Sequence, residues 1–323
     1  MIRPVPAFVS KPVLVVLAFA ALWLGAAPAG ADPLKLRLGV QKYGTFIVLQ
    51  TRGTLEQRLA PLGVTIEWHE FPGGPQLLEA LNAGSIDVGQ TGDAPPIFAQ
   101  AANPGLVYVG VEPPVPAGEA ILVPKDSPLK AVSELAGRRV ALNKGSNVHY
   151  FLVQALAKAG VAYTDIKPVF LAPADARAAF EAGSVDAWAI WDPFYAAAQN
   201  ATGARTLTDG TGLVGNRQFF LSTRDFAQGH ADILSAITAE IAATDAWAKT
   251  HQDEVATLLG PRTGIDVPSL KVALARLGYG YGPLTKEVVA DQQRIADTFF
   301  DLHLIPKKID VADAVFDLKS AER

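Results

Sequence analysis

An eight-residue block that occurs twice limits what this chain can fold into. Ala80–Asp87 (ALNAGSID) returns as Ala179–Asp186 (AFEAGSVD), 99 residues further on, with conservative differences. Each copy reads as the end of a helix, stopped by Gly84 or Gly183, running straight into a strand. Two copies at that spacing are too few and too far apart for a solenoid, whose repeats are shorter and more numerous. The echo therefore predicts two similar α/β lobes.

The flanking sequence alternates in the same way. Leu34 to Val40 (LKLRLGV) reads as a buried strand ending near Gln41-Lys42-Tyr43-Gly44, followed by a helix over Phe46 to Leu59. Val64 to Phe71 alternates with period two and delivers its end to Pro72-Gly73-Gly74-Pro75. A helix over Gln76 to Ala83 and a strand over Ile86 to Gly89 come next, then the turn Thr91-Gly92-Asp93, with Asp93 placed to cap a helix that opens on Pro95 or Pro96. Leu106 to Val111 is a further strand. Short strands alternating with helices predict parallel sheets with helices on their faces, and ligands at the strands' carboxyl ends. The Pro-rich Glu112 to Gly118 reads as a crossing into a second lobe that opens with the strand Glu119 to Val123. Asn216 to Thr223 returns the chain as a strand, before helices over Asp232 to Thr250, Pro268 to Leu277 and Thr285 to Leu302. One lobe is thus expected over 34–117 plus 221–323, the other over 118–220.

Within the second lobe, Val140 to Gly160 (VALNKGSNVHYFLVQALAKAG) carries the boundaries of a strand, a turn and a helix. Ser146 or Asn147 stands at the helix N-cap and Gly160 at its C′ position. Such a helix start offers free N–H donors and a partial positive charge, enough to hold a sulfonate, sulfate, phosphate or carboxylate without a basic side chain.

The amino-terminal stretch is read separately. Arg3 and Lys11 precede an apolar run from Val13 to Leu24 that ends in Ala29-Gly30-Ala31, the pattern of a secretory signal peptide cleaved after Ala31. An uncleaved anchor is the alternative reading. Of 323 residues, 292 would then follow the 31-residue leader, enough for two domains of ordinary size, and no cysteine follows the cleavage site to take a lipid. With no cysteine at all, an exported chain must be held by burial alone. Loss of Arg3 and Lys11 takes the formal charge from −4 to −6, with the remaining cations scattered. That balance argues against nucleic acid and anionic membrane surfaces as partners, so an anionic ligand would depend on local donors.

No phosphate loop, nucleophile elbow, H-E-x-x-H pair or G-x-G-x-x-G is present, and the five histidines are far apart. Those absences argue against an ATPase, a serine hydrolase and a zinc enzyme. His149 falls in the first turn of the helix after Ser146, where it could donate to an oxyanion or simply pack. Trp188 and Trp191 lie at a predicted strand end, where core packing competes with a role as a wall for an apolar tail. Asp93 and Asp192 fit turns and caps, and Glu112 and Glu119 fall on the crossing, where solvated charges are expected. No catalytic residue, metal or cofactor is expected.

Taken together, LLEALNAGSIDVGQTGDAPPIFAQAA, VYVGVEPP, ELAGRRVALNKGSNVHYFLVQALAKAG and PADARAAFEAGSVDAWAIWDPFYAAA resemble the aliphatic-sulfonate-binding proteins of bacterial ABC importers, from about Leu36 to Arg224, with Ile305-Pro306-Lys307-Lys308 near the end. The resemblance implies a two-lobed type II periplasmic binding protein, each lobe a mainly parallel sheet flanked by helices and joined by two crossing segments. It further implies a monomer that closes on an organosulfonate anion and passes it to the permease and ATPase subunits of an importer, serving sulfur acquisition. Carried over by motif, the cleft would comprise Gln41, Phe71, Gly73, Thr91, Gly92 and Asp93 from one lobe. Ser146, Asn147, His149, Trp188 and Trp191 would come from the other. The chain departs from the family pattern at Asn147-Val148 and at Tyr43-Gly44-Thr45, both expected to face the ligand. Taurine, nitrate or a thiamine precursor are the neighbouring ligand choices, and an enzyme on the same fold is the alternative from another class.

Overall fold

The computed structural model describes residues 1–4 and 33–321. The apolar run Val13 to Leu24 and the expected cleavage after Ala31 lie outside the described residues.

The first sheet begins with β1 (Leu34–Val40), the helices α1 (Thr45–Arg52) and α2 (Thr54–Leu59), and β2 (Val64–Glu70). It continues through α3 (Gly74–Asn82), β3 (Val88–Thr91), α4 (Pro95–Ala102) and β4 (Leu106–Val111). The chain then crosses and builds the second sheet with β5 (Glu119–Val123), β6 (Arg139–Leu142), α5 (Asn147–Lys158) and β7 (Lys167–Phe170). α6 (Pro173–Glu181), β8 (Ala187–Trp191), α7 (Phe194–Thr202) and β9 (Arg205–Asp209) complete it. A second crossing leads back to β10 (Phe219–Thr223). The tail is helical: α8 (Arg224–Gly229), α9 (Ala231–Thr250), α10 (Gln252–Thr263), α11 (Val267–Arg276), α12 (Lys286–Asp301) and α13 (Leu318–Ala321). The expected single helix over 46–59 is two helices, because Gly53 takes a left-handed conformation (φ 65°) between them.

The sheet orders are β2-β1-β3-β10-β4 and β7-β6-β8-β5-β9, the same pattern twice. In each, one strand runs against the other four: β10 in the first and β5 in the second. Connectivity explains the exception. β5 and β10 follow the two crossings, so each enters its sheet from the seam where the other strands end. The crossings are themselves paired, with Glu112 N–H donating to Gln218 O (2.9 Å) and Val115 N–H to Gly215 O (3.0 Å).

The repeated block owes its spelling to one local device. Gly84 and Gly183 take φ of 70° and 68°, and Ser85 and Ser184 donate backbone N–H bonds of 2.8 Å to Ala80 and Ala179. Asp87 then accepts from Arg37 N–H (2.8 Å) and the Arg37 side chain, and Asp186 from Arg139 N–H (2.7 Å) and the Arg139 side chain. The clamp fastens β3 to β1 in one lobe and β8 to β6 in the other, which leaves neither aspartate for chemistry.

Helices join the lobes on both faces. α11 lies against α7, where Asn200 Nδ2 donates to Ser269 Oγ (2.8 Å) and Arg276 pairs with Asp192 (3.1 Å). On the opposite face Phe299 of α12 sits 5.5 Å from the His149 ring and 6.0 Å from Tyr150. Both sheets belong to one compact unit, Pro33–Arg323.

Candidate functional site

The carboxyl ends of β1, β2 and β3 meet those of β6, β7 and β8 across the seam between the sheets. Each of these strands is followed by a helix, so helix N-termini converge there. The starts of α3, α4, α5 and α6 have no side-chain cap, whereas at α1 the Phe46 N–H donates to Gln90 Oε1 (2.9 Å). Ser146, at the N-cap of α5, instead turns its hydroxyl back to Asn143 O (2.7 Å). Uncapped first-turn amides give the seam a positive potential that needs no basic side chain.

The lobes are in direct contact at this point. A Cβ placed on Gly73 would stand 3.6 Å from the Asn143 side chain, and one on Gly92 would stand 3.0–3.2 Å from Cβ, Cγ and Oδ1 of Asn147. Around Gly73 three buried polar atoms have no partner among the described residues: Gln76 Oε1, Thr91 Oγ1 and Asn143 Oδ1. They are tightly grouped, since a Cβ on Gly74 would meet Thr91 Oγ1 and one on Gly73 would come within 3.2 Å of Gln76 Oε1 and 3.6 Å of Asn143 Oδ1. Polar groups buried without partners are rare and point to an expected companion. Gln41 lies beside them, its amide donating to Gln90 O (2.9 Å).

Next to this polar floor opens a chamber of about 330 Å3. Phe71, Pro72, Ala172, Pro173, Ala174 and Phe194 give it apolar walls, with Lys42 and Glu70 completing the lining. Trp191 supports the wall from behind, edge-on to Phe194 at 6.2 Å.

Of the residues expected at the cleft, Gln41, Phe71, Gly73, Thr91, Gly92 and Ser146 come to this seam. Three others are otherwise engaged. His149 is fully buried; its Nδ1 accepts the Gly145 N–H (3.1 Å) and its Nε2 meets the Tyr163 hydroxyl (2.8 Å). The imidazole therefore has no donor left for an oxyanion, and burial, with Lys144 nearby, lowers its pKa to about 4 and keeps it neutral. Its place is behind the loop, holding the turn before α5. Trp188 is packed in the second lobe's core against Phe180 (5.8 Å), because residues three apart on a strand face opposite sides of the sheet. Asn147 reaches the seam but spends its amide on Glu119 Oε2 (2.7 Å) and Asn216 Oδ1 (3.0 Å).

The acidic residues also differ from expectation. Asp93 does not cap α4, whose N-cap is Ala94. It is buried, with Oδ1 unpartnered, and burial raises its pKa to about 7 against the opposing pull of nearby backbone amides. Glu112 and Glu119, expected to be solvated, are both 1% exposed, because the paired crossings are covered by both lobes. Glu112 accepts from Thr45 Oγ1 (2.7 Å) and Gln90 Nε2 (2.8 Å), while the same Thr45 oxygen lies 2.5 Å from Asp245 Oδ1. One hydroxyl has one proton to give, so one of the two carboxyls must itself be protonated. Burial accordingly pushes Glu112 well above the carboxylate range and Asp245 up to about 6.

Asn143, Gln76, Asn216 and Asp245 were not singled out from the sequence, and Thr45 entered only as part of the Tyr43-Gly44-Thr45 departure expected to face the ligand. Asn143 had a signal, standing at the carboxyl end of a predicted strand. Gln76 also had a positional signal, as the first residue of the expected helix; α3 opens two residues earlier, at Gly74, and keeps Gln76 in its first turn. Asp245, in the middle of α9, carries no local signal.

The model of the NMT1-like family matches residues 30–260. An aliphatic sulfonates-binding protein of Escherichia coli (strain K12) is 45% identical over 292 residues, covering 90% of this chain and 91% of that one. A protein of the same description from Bacillus subtilis (strain 168) is 31% identical over 308 residues, covering 94% and 93%. The structure of the alkanesulfonate-binding protein of Xanthomonas axonopodis pv. citri bound to MOPS superimposes with a TM-score of 0.84 at 43% identity, over 88% of this chain and 99% of that one.

Proposed function

Because the chain belongs to the NMT1-like family and, within it, to the aliphatic-sulfonate-binding proteins, we propose that its seam captures an alkanesulfonate for an ABC importer. The observation that carries the reading is the grouping of the unpartnered Thr91, Gln76 and Asn143 side chains, from both lobes, beside an apolar-walled chamber. The Thr91 hydroxyl can donate to a sulfonate directly, and a half-turn of the Gln76 and Asn143 amides puts N–H donors where their unpartnered carbonyl oxygens stand. The sulfonate's three oxygens accept from the Thr91 hydroxyl, the amides of Gln76 and Asn143 and the uncapped first turn of α5, and its tail enters the chamber between Phe71 and Phe194. Bonds to a charged acceptor contribute about 1.5–3 kcal/mol each before the costs of ordering. Since the donors are divided between lobes, full capture requires the lobes to be joined, which also strips water from the head group.

In this reading the mature protein begins after Ala31, works in the periplasm as a monomer, and hands its ligand to a permease served by an ATPase. It acts by binding and release. His149, beside the expected anion, has both ring nitrogens committed.

Calorimetric titration of the mature protein with ethane-, butane- and octanesulfonate, taurine, sulfate and nitrate tests the proposal. Alkanesulfonates should bind at micromolar concentrations or below, and Thr91→Val and Asn143→Ala should each weaken binding about 10- to 150-fold, the equivalent of 1.5–3 kcal/mol. Failure of every organosulfonate would overturn the reading, and preference for taurine or nitrate would redirect it.

A further inference from the structure

A second chamber, of about 280 Å3, lies on the hinge side of the seam. Asp93 of one lobe, Tyr150 of the other, Arg217 of the second crossing, and Asp291 and Arg294 of α12 all face it. The Asn147 side chain lies against Gly92, the residue that links Thr91 of the polar floor to Asp93 of this chamber, and is fixed by Glu119 and Asn216.

Two polar atoms in the lining are buried with no hydrogen-bond partner among the described residues, Asp93 Oδ1 and Arg217 Nε. Asp93 is 4% exposed, so neither bulk water nor a mobile surface group explains its free oxygen. Asp291 pairs closely with Arg294 and more distantly, at 3.8 Å, with Arg217, so one carboxylate serves two guanidinium groups. The chamber thus offers guanidinium charge together with an acceptor oxygen, Asp93 Oδ1, that has no hydrogen bond, although backbone amides of Ala94, Asn216 and Arg217 act on its carboxyl.

We propose that this hinge chamber is a second binding site, taking a small acid that carries its own hydrogen-bond donor, such as an ω-amino or ω-hydroxy sulfonate or carboxylate of two or three carbons. Its oxyanion lies on Arg217 and Arg294, and its ammonium or hydroxyl donates to Asp93 Oδ1. An acid without a donor leaves Asp93 unsatisfied, which is a larger loss in a buried site than the absence of a contact. The volume suits a molecule of this size and falls below that of pockets for drug-sized ligands. Since both lobes and the crossing line the chamber, its occupant favours the joined lobes. By linkage, it then strengthens sulfonate capture by the same factor by which the sulfonate strengthens its own binding.

The test uses the mature protein presaturated with hexanesulfonate and titrated with taurine, isethionate and, as the donor-free control, ethanesulfonate. Taurine or isethionate should bind as a second event, one per chain, at least about tenfold more tightly than ethanesulfonate. Arg217→Gln and Arg294→Gln should each weaken that event about tenfold or more and leave hexanesulfonate affinity, measured without the second probe, within about twofold. Competition between the probes and hexanesulfonate, no second event, or a second event unchanged in both variants would overturn the proposal. If hexanesulfonate itself does not bind, the alkanesulfonate reading fails alone. The two arginine variants then test the chamber by titration of the ligand-free protein with taurine and isethionate.

Discussion

Replacing Gly92 by alanine isolates the contact on which closure depends. Gly92 does not occupy the left-handed region, so its backbone accepts alanine without strain. The cost lies across the seam, where the new Cβ would stand 3.0 Å from Asn147 Cβ, 3.1 Å from Cγ and 3.2 Å from Oδ1. Carbon atoms at rest stand about 3.5–4.0 Å apart, so the lobes must part by a few tenths of an ångström or more. Asn147 cannot swing aside, because its amide is held by Glu119 and Asn216. Overpacking of this kind costs about 1–3 kcal/mol, which corresponds to alkanesulfonate binding about 5- to 150-fold weaker. The penalty is confined to the joined state, so ligand-free Gly92→Ala protein should melt within about 2 °C of the parent while its calorimetric affinity falls. The double variant Gly92→Ala/Asn147→Gly, which removes the opposing Cβ, should regain affinity relative to Gly92→Ala. Unchanged affinity in Gly92→Ala, or a melting loss that accounts for the whole binding defect, would refute the reasoning.

The two Arg–Asp clamps should be unequal. Asp87, with 12% of its side chain exposed, should cost about 2–3 kcal/mol on change to Asn, and Asp186, at 29%, about 1 kcal/mol, measured by urea denaturation. The Glu112–Thr45–Asp245 group sets a pH dependence. Its carboxyls hold protons in the folded chain that the unfolded chain releases from about pH 4 upward, so stability should fall as pH rises from about 4 through 6, where Asp245 titrates, and the Asp245 contribution should level off above that. Asp245→Asn should flatten that slope in melts between pH 4.5 and 8 (chosen to span roughly both values); an identical slope would refute the shared-proton reading. His149→Ala should lower stability by about 2–4 kcal/mol, because Gly145 N–H loses its acceptor and a fully buried ring is removed. Without ligand contact from the imidazole, binding should keep to within about threefold once measured well below the melting point.

The architecture was legible because it is written in local chemistry. The repeated Ala-Gly-Ser-x-Asp places a left-handed glycine after a helix and an aspartate on the next strand, and both lobes read correctly from it. The two antiparallel strands were not legible, since direction within a sheet depends on where the crossings re-enter. Gln41, Gly73 and Thr91 lie at the seam, where their position in the sequence puts them, because a parallel strand's carboxyl end is a place before it is a side chain.

Which polar residue at such an end faces the seam is another matter. His149 and Asn147 share one helical turn with Ser146, yet one turns back into the loop and the other bridges to Glu119, because the acceptors that hold them come from Tyr163, Glu119 and Asn216, far off in sequence. Glu112 and Glu119 looked like surface charges until two lobes closed over them. The sequence by itself determined two α/β lobes, their strands and the ends where a ligand could sit, since period, turn residues and helix caps act over a few neighbours. Only the tertiary structure decided which donors remain uncommitted there, because a hydrogen bond is spent on whichever partner the fold brings within about 3 Å.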